Sequence, residues 1–303
     1  MSPSTPLRLV ALDLDGTLLN SQSQISPRTR HGQLADAVGR GVIVLPCTGR
    51  PLASLPPLVA QLPGIRYAIT TNGAAVWAYG HRPAGCRVQP LCRCGPAADP
   101  PAGPAPSPSH AAGDRQGSLC ALSGVPRPAE HLFGRVRLSG RAGHGAVSGP
   151  AKTGTFPPRP ASRTMAAITL CVTKPEWLSR HAHEVEKFCM FFDSAEIAQA
   201  ALPRFRALPG VEAVQGSPDN VEVTAQGVDK GTALLALADM LGIPREATAA
   251  IGDSENDRAM LARAGVAAVM ANALPEIRAL GDIVSTCDND HDGVAELFER
   301  LGL

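Results

Sequence analysis

The sequence lacks an excess of charge of either sign. Its 303 residues include 28 Lys and Arg against 27 Asp and Glu, which gives a formal net charge of +1. Proteins whose main partner is nucleic acid or an anionic membrane surface usually carry a basic patch or a strongly positive domain. The charge balance therefore argues against both nucleic acid and membrane as partners.

Long apolar runs are also absent, and the eight cysteines are irregularly spaced. No stretch approaches the ~20 apolar residues of a membrane-spanning helix. Residues 1–9 contain Pro3, Pro6 and Arg8 but no apolar region of the kind found in a secretory signal. Irregular cysteines in a chain of this length are untypical of a disulfide framework. These features predict a cytoplasmic location in a reducing compartment.

The sequence does contain enough apolar material for one large core or two modest ones, since 44% of its residues are hydrophobic. A chain of this size buries roughly 75% of its unfolded surface when it folds. Its length alone suggests about two domains.

The composition changes abruptly between Pro83 and Arg163. This stretch holds 14 of the 28 prolines and 12 of the 30 glycines, with ten basic and three acidic residues. Its only aromatic residues are Phe133 and Phe156. Such a composition indicates low-complexity or disordered chain, because it offers too little apolar surface to offset the entropy lost on ordering. We expect this stretch to lie outside the core of either domain.

On both sides of this stretch, short apolar strands alternate with helices. The predicted strands are Leu7–Leu12, Val42–Leu45, Tyr67–Thr71, Ala167–Thr173, Cys189–Asp193, Val211–Gln215, Val221–Thr224, Thr248–Ile251, Val266–Met270 and Ile283–Ser285. The predicted helices are one that begins at Ser26-Pro27 and ends at Gly41, and Pro51–Leu62, Glu176–Lys187, Ala195–Leu208, Thr232–Leu241, Asp257–Ala264, Pro275–Leu280 and Gly293–Leu301. This alternation predicts an α/β fold with a parallel sheet covered by helices.

Ligands of such folds bind beyond the carboxyl ends of the strands, and chemically active residues follow several predicted strands. The relevant segments are Asp13-Leu14-Asp15-Gly16-Thr17, Cys47-Thr48-Gly49-Arg50, Lys230-Gly231 and Gly252-Asp253-Ser254-Glu255-Asn256-Asp257. We expect them to bring up to four carboxylates, an ammonium, a hydroxyl and a carboxamide into one crevice. Carboxylates held this close repel one another, and oxygen ligands without His or Cys favour Mg²⁺ over Zn²⁺.

These segments resemble the four motifs of the haloacid dehalogenase (HAD) superfamily, in the same chain order. Further segments resemble the Cof-type phosphatases, which carry a type IIB cap between the second and third motifs. Those segments are Thr48–Pro51, Thr71–Ala74, Gly227–Gly231, Met270–Ala273 and Asp290–Val294. The resemblance covers about 7–82 and 167–303, and residues of about 83–163 do not match.

The resemblance implies a Rossmann-like three-layer core with a parallel sheet, plus an inserted α+β cap domain that is incomplete here. The two parts of the core would be residues 1–82 and 227–303. Residues 167–226 would be the remaining half of the cap. Residues 83–166 would be the Pro/Gly/Arg-rich stretch.

The same resemblance implies a Mg²⁺-dependent phosphatase that hydrolyses small phosphorylated metabolites, such as sugar phosphates. Asp13 would be the nucleophile that forms an aspartyl-phosphate. Asp15 would protonate the leaving oxygen and then deprotonate water. Thr48 and Lys230 would hold the phosphoryl oxygens as charge shifts in the transition state.

The resemblance also implies a ligand set. Mg²⁺ would be bound by Asp13, by the main-chain carbonyl of Asp15 and by Asp253, with Asp257 in support. Phosphate or substrate contacts would come from Asn256 and from the loop after the second strand, which carries Thr48, Gly49 and Arg50.

Plainer interpretations of these residues stay open at the level of sequence. An Asp after a strand, or Thr48, commonly caps a helix. Arg50 could pair with a surface acid, and Asn72-Gly73 is more typical of a turn than of a site. Three other functions also fit: a phosphotransferase or phosphomutase on the same core, a receiver-like phospho-accepting signalling domain, and a catalytically impaired remnant with a damaged cap.

Two hypotheses explain the stretch 83–163: a natural disordered insert, or a segment translated out of frame. Its abrupt edges, its Arg/Pro/Gly/Ala/Cys bias and its loss of periodicity favour the second. Reading the nucleotide sequence across codons 83–165 in all frames is expected to reveal an amphipathic α/β segment in another frame. If no frame encodes one, the out-of-frame hypothesis is wrong.

Overall fold

The computed structural model describes residues 5–79, 88–92, 136–140 and 185–303, with residues 88–92 and 136–140 described by their backbone alone. The predicted strand 167–173 lies outside the described residues, as does most of the predicted helix 176–187. The chain divides into two compact units. The first comprises residues 1–50, 55–97 and 227–303, and the second residues 51–54 and 98–226.

Twelve strands are present within the described residues. They are β1 (Leu9–Leu12), β2 (Ile43–Pro46), β3 (Tyr67–Thr70), β4 (Ala75–Tyr79), β5 (Val88–Cys92), β6 (Val136–Gly140), β7 (Val185–Phe191), β8 (Val211–Val214), β9 (Asn220–Ala225), β10 (Thr248–Gly252), β11 (Val266–Val269) and β12 (Ile283–Val284). The α-helices of the same residues are α1 (Leu34–Gly39), α2 (Pro57–Ala60), α3 (Ala195–Arg206), α4 (Lys230–Met240), α5 (Arg258–Arg263), α6 (Pro275–Arg278) and α7 (Gly293–Leu301).

The first unit is built on a five-stranded sheet with the order β12-β11-β10-β1-β2, in which every pairing is parallel. Leu9 and Ala11 of β1 belong to the main core cluster, which also includes Leu234 of α4 and Met260 of α5. Every residue of β1 is buried. A strand that is apolar throughout is typical of a parallel sheet with both faces covered. The predicted α/β fold with a parallel sheet is therefore confirmed.

A smaller antiparallel sheet in the first unit has the order β3-β4-β5. Its strand β3 meets the chain after β2 through a single bridge between Cys47 and Ile69. The strand predicted at 67–71 is thus present, with its hydrogen bonds made mainly to β4. The backbone of β5 lies within the stretch of unusual composition.

The second unit contains an antiparallel sheet with the order β6-β7-β9-β8. Its core packs α3 against Met190, Val221 and Val223. The predicted helix 176–187 is wrong for residues 185–187, which begin β7. The run Val-Glu-Lys-Phe-Cys-Met-Phe is rich in aromatic and apolar residues. Its first residues pair with β6 and its last four with β9, so tertiary pairing overrides a weak helical pattern.

Two predicted helices of the first half of the chain are shorter or less regular than expected. The prediction over 51–62 is realised as a 3₁₀ turn at Leu52–Ser54 and as α2. Pro56 and Pro57 lack the N–H groups that a continuous helix needs. The helix that follows Ser26-Pro27 begins with a π-helical segment at Arg28–Gln33 and continues as α1.

Helix α4 begins at Lys230, two residues before the predicted start. The Asp229 carboxylate accepts a hydrogen bond from the Thr232 N–H at 2.7 Å and so caps the helix. Within residues 5–79 and 185–303, no helix has both the length and the apolar character needed to cross a membrane.

The contact between α4 and α5 depends on the absence of a side chain at Gly231. A Cβ at this position would lie 2.3 Å from the main-chain oxygen of Ala259. We expect Gly231→Ala to lower the free energy of unfolding by about 1–3 kcal/mol, since this backbone overlap outweighs the helix propensity of alanine. Urea unfolding followed by circular dichroism measures the change.

The matched control is Gly39→Ala. Gly39 is also helical and exposed, and a Cβ there would meet nothing within 4 Å. It should raise the free energy of unfolding by about 0.5–1 kcal/mol or leave it unchanged. Equal effects of the two substitutions would contradict the close approach at Gly231.

Candidate active site

Three carboxylates meet at the carboxyl ends of two neighbouring strands. Asp13 follows β1 and Asp253 follows β10, which pair in register so that Leu12 lies opposite Ile251. Asp257 lies one turn further along the chain than Asp253. One oxygen from each of these three side chains lies within 4.8 Å of the others. The predicted convergence of acids from distant segments is present.

Lys230 joins two of these carboxylates. Its side chain is completely buried, and its Nζ lies 2.6 Å from Oδ1 of Asp13 and 2.6 Å from Oδ1 of Asp257. A buried ammonium is tolerated only when it is paired and hydrogen-bonded. Lys230 enters the cluster from the first residue of α4, where a cation opposes the helix dipole. Its position is therefore set by the carboxylates and not by helix stability.

The electrostatics of the cluster leave negative charge uncompensated. Burial raises the pKa of Asp13 well above its usual range, and the neighbouring Asp257 raises it further although Lys230 acts in the opposite direction. Burial, reinforced by Asp257, raises the pKa of Asp253 to about 7. Burial alone would lower the pKa of Lys230, but Asp13 and Asp257 outweigh it and the pKa is raised.

Two buried acids, a partly buried one and one ammonium thus match the charge and the donor type that a divalent, oxygen-binding cation requires. Oxygen ligands at closely spaced carboxylates are the usual environment of Mg²⁺. The donor set of Asp13, Asp253 and Asp257 therefore fits the metal that the sequence predicted.

Hydrogen bonds fix the two acids of the β10 loop. Oδ2 of Asp257 accepts the main-chain N–H groups of Asp253 and Ser254, each at 3.0 Å. Oδ1 of Asp253 accepts the hydroxyl of Thr17 at 2.6 Å. Asp257 therefore shapes the loop with one oxygen and holds Lys230 with the other.

Asp15 lies in a different environment from Asp13. Its side chain is 56% exposed, and its two oxygens accept hydrogen bonds from Nε and a terminal nitrogen of Arg50, at 2.7 and 2.5 Å. The hydrogen bond to Asp15 raises the pKa of Arg50. Of the two interpretations of Arg50, the structure shows the pairing with an acid, and that acid is itself a candidate site residue.

Thr48 and Asn256 are linked through a third residue. Thr48 is buried after β2, and its main-chain oxygen accepts the N–H of Asn72 at 3.1 Å. Oδ1 of Asn72 lies 3.5 Å from Nδ2 of Asn256. Direct contacts thus join Asp13, Asp257 and Lys230, whereas Thr48 and Asn256 connect to each other through Asn72.

Sequence reasoning places three further residues of this region only within motifs or turns, without their contacts. Thr17 was only part of a motif, yet it holds Asp253. Asn272 donates from Nδ2 to the main-chain oxygen of Gly16 at 2.8 Å. Asn72 looked like a turn residue, and it is one, with φ of 55°. An Asn before a Gly shows that a turn is present but not what its carboxamide contacts.

The sequence model of the haloacid dehalogenase-like hydrolase family matches residues 10–83 and 169–298. Most of the residues between these two ranges fall in the stretch of unusual composition. The resemblance, with its gap at about 83–163, is therefore confirmed. The matched ranges contain Asp13, Thr48, Lys230 and Asp253.

Two relatives of known activity align with nearly the whole chain. The 5-amino-6-(5-phospho-D-ribitylamino)uracil phosphatase of Bacillus subtilis is 26% identical over 295 residues, which cover 97% of this chain and 95% of the relative. The HMP-PP phosphatase of Serratia proteamaculans is 29% identical over 274 residues, which cover 90% of this chain and 87% of the relative.

Solved structures show the same fold. A haloacid dehalogenase-like hydrolase of B. subtilis superposes with a TM-score of 0.64 at 24% identity, covering 97% of this chain and 100% of the other. A subclass IIB sugar phosphatase of the same superfamily superposes with a TM-score of 0.65 at 20% identity, covering 97% and 99%. With the family model matching well over half of its residues, the chain belongs to the haloacid dehalogenase-like hydrolases and is a Cof-type phosphatase.

Proposed function

We propose that this phosphatase requires Mg²⁺ and hydrolyses small phosphorylated metabolites, such as sugar phosphates, through an aspartyl-phosphate on Asp13. The observation that carries the proposal is the buried Lys230, whose ammonium bridges Asp13 and Asp257 beside Asp253. A structural ion pair needs one acid for one base. Three ionised acids around one ammonium leave an excess of negative charge, which a divalent cation would balance.

The proposed metal ligands are the carboxylates of Asp13 and Asp253 and the main-chain carbonyl of Asp15, with Asp257 in support. When bound, Mg²⁺ would neutralise the carboxylates and polarise the phosphoryl oxygens. The raised pKa values of Asp13 and Asp253 are what a site built for a cation shows without it, because each carboxylate then lacks its counter-charge.

In the proposed reaction an oxygen of Asp13 attacks phosphorus as the bond from phosphorus to the leaving oxygen breaks. Lys230 orients the Asp13 carboxylate through its hydrogen bond to Oδ1 and offers positive charge to the phosphoryl group. Asp15 gives its proton to the leaving oxygen. It then takes a proton from the water that attacks the aspartyl-phosphate, which releases orthophosphate and restores the Asp13 carboxylate.

Thr48, with Gly49 and Asn256, is proposed to bind the phosphoryl oxygens. Arg50 is proposed to orient Asp15 through its paired hydrogen bonds, and so to keep this exposed carboxylate in one place until substrate arrives. The guanidinium suits this task because its planar fork engages both carboxylate oxygens at once.

The domain organisation is part of the same proposal. The catalytic core would comprise residues 1–82 and 227–303, with 167–226 as the remaining half of an α+β cap and 83–166 as an insert or an out-of-frame segment. The relatives named above act on small phosphorylated compounds according to their names. A metabolite of that class, met in the cytoplasm, is the substrate proposed here.

The nucleophile is tested by Asp13→Asn. We expect this variant to reduce phosphate release from p-nitrophenyl phosphate in Mg²⁺ by at least about a thousandfold, because an uncharged amide cannot form the acyl phosphate. Asp239→Asn, an exposed substitution on α4, should retain wild-type turnover. Equal rates for wild type and Asp13→Asn would overturn the assignment.

Mg²⁺ binding is tested through its effect on stability at different pH values. The pKa of Asp253 is raised in the folded state to about 7, above its unfolded value. Between about pH 4 and pH 7 the folded state holds a proton on Asp253 that the unfolded state has already released. The metal-free protein is therefore expected to lose stability as pH rises through this range. Mg²⁺ should restore stability, and the gain in Tm should grow over the same pH range.

Melting curves in chelator and in Mg²⁺, at matched ionic strength from pH 5 to pH 8, measure this gain. Asp253→Asn is the matched variant and should show little gain at any pH. A Mg²⁺ effect that is independent of pH, or that persists in Asp253→Asn, would be evidence against the proposed ligand set.

A further inference from the structure

The turn after β3 adopts a costly backbone conformation. Thr71, Asn72 and Gly73 have φ values of 56°, 55° and 97°, so three successive residues lie in the left-handed region. Only glycine occupies this region without penalty, and a β-branched residue such as Thr71 is rarely found there. Strain of this kind persists where surrounding contacts hold the chain in place, often at functional sites.

This turn packs against two segments of the candidate site. The main-chain N–H groups of Thr71 and Asn72 donate to the carbonyls of Arg50 and Thr48, at 3.0 and 3.1 Å. On its other side the turn approaches the start of α4 so closely that a Cβ on Gly73 would lie 2.2 Å from the oxygen of Asp229. Its conformation is therefore coupled to the loop after β2 and to the helix that carries Lys230.

The carboxamide of Asn72 is directed toward a third segment. The residue is 4% exposed, and its Oδ1 faces Nδ2 of Asn256 at 3.5 Å. Oδ1 of Asn256 in turn accepts the hydroxyl of Ser254 at 2.6 Å, which orients its amide group toward Asn72. Burying a carboxamide is unfavourable unless its hydrogen bonds are satisfied. Glycine would adopt this backbone conformation at lower cost, so the contacts of the Asn72 side chain are the feature that distinguishes it from glycine here.

We infer that Asn72 is a positioning residue of the phosphate site, which fixes the Asn256 amide through its carboxamide and the Thr48 loop through its main-chain N–H. The inference rests on the proposed function, in which Thr48 and Asn256 bind phosphoryl oxygens. Asn72 acts through these two residues, so its effect on phosphate depends on Asn256 being present.

Asn72→Gly distinguishes the contribution of the Asn72 side chain from that of its backbone. Glycine accepts the positive φ and keeps the main-chain bond to Thr48, while it removes the carboxamide. The matched control is Ser23→Gly, which relieves the same conformation, with φ of 58°, in an exposed turn. Asn72→Gly should stay folded, because relief of the positive φ offsets part of the lost hydrogen bond. Ser23→Gly should melt at or above the wild-type temperature and should bind phosphate as wild type does.

The decisive measurement is a double-mutant cycle on the dissociation constant of orthophosphate in Mg²⁺, by isothermal titration calorimetry. Asn72→Gly should weaken binding roughly three- to tenfold, the effect of one hydrogen bond. Asn256→Ala should weaken it as well, and the double variant should bind no more weakly than Asn256→Ala alone, because coupled residues are non-additive. For p-nitrophenyl phosphate, the loss in Asn72→Gly should appear mainly in KM.

Three results would each overturn the inference. They are a double variant in which the two increases in the orthophosphate dissociation constant multiply, an Asn72→Gly variant with unchanged phosphate binding, and a wild-type protein that does not bind orthophosphate. Failure of the proposed function is distinguishable. It would show as absent turnover in the wild type, and the phosphate-binding cycle still decides the role of Asn72 because it does not depend on turnover.

Discussion

The ammonium of Lys230, held between Asp13 and Asp257, is the interaction on which the site depends. It is fully buried and makes two hydrogen bonds of 2.6 Å to carboxylates from separate segments of the chain. If Lys230 were removed, Asp13 and Asp257 would lose the buried counter-charge that they share, which is strongly unfavourable. The contacts of Lys230 therefore tie the end of β1, the start of α4 and the loop after β10 to one another.

The sheet makes this contact possible before any side chain is considered. Parallel pairing of β1 with β10 and β2 brings their carboxyl ends to one edge, and the aliphatic strands contribute little chemistry of their own. The acids come immediately after the last buried residue of their strands. Both faces of the sheet are covered, so the edge formed by the strand ends is rigid. The stability of the core offsets the free-energy cost of holding a cluster with uncompensated negative charge at that edge.

The sequence was sufficient to predict the parallel α/β core and its acidic cluster, because both follow from local patterns: apolar runs, and acids directly after them. It was insufficient where tertiary contacts determine the secondary structure or the partner of a side chain. Residues 185–187 are strand because β6 pairs beside them, and Pro56 and Pro57 divide a helix whose apolar spacing is continuous. The partner of Arg50 could not be read, since a guanidinium has no spacing rule that selects Asp15 over any other exposed acid.

Two acids that are neighbours in sequence are given different chemistry by their surroundings. Asp13 is buried against Lys230 and two further acids, which favours a role in which it bonds to phosphorus and metal. Asp15, two residues on, is largely exposed and held by Arg50, so it lies outside the buried cluster and is accessible to solvent and to a leaving group. An enzyme that separates nucleophile from acid needs two such environments. A receiver-like domain needs only the first, so the paired, exposed Asp15 favours turnover over storage of the phosphoryl group.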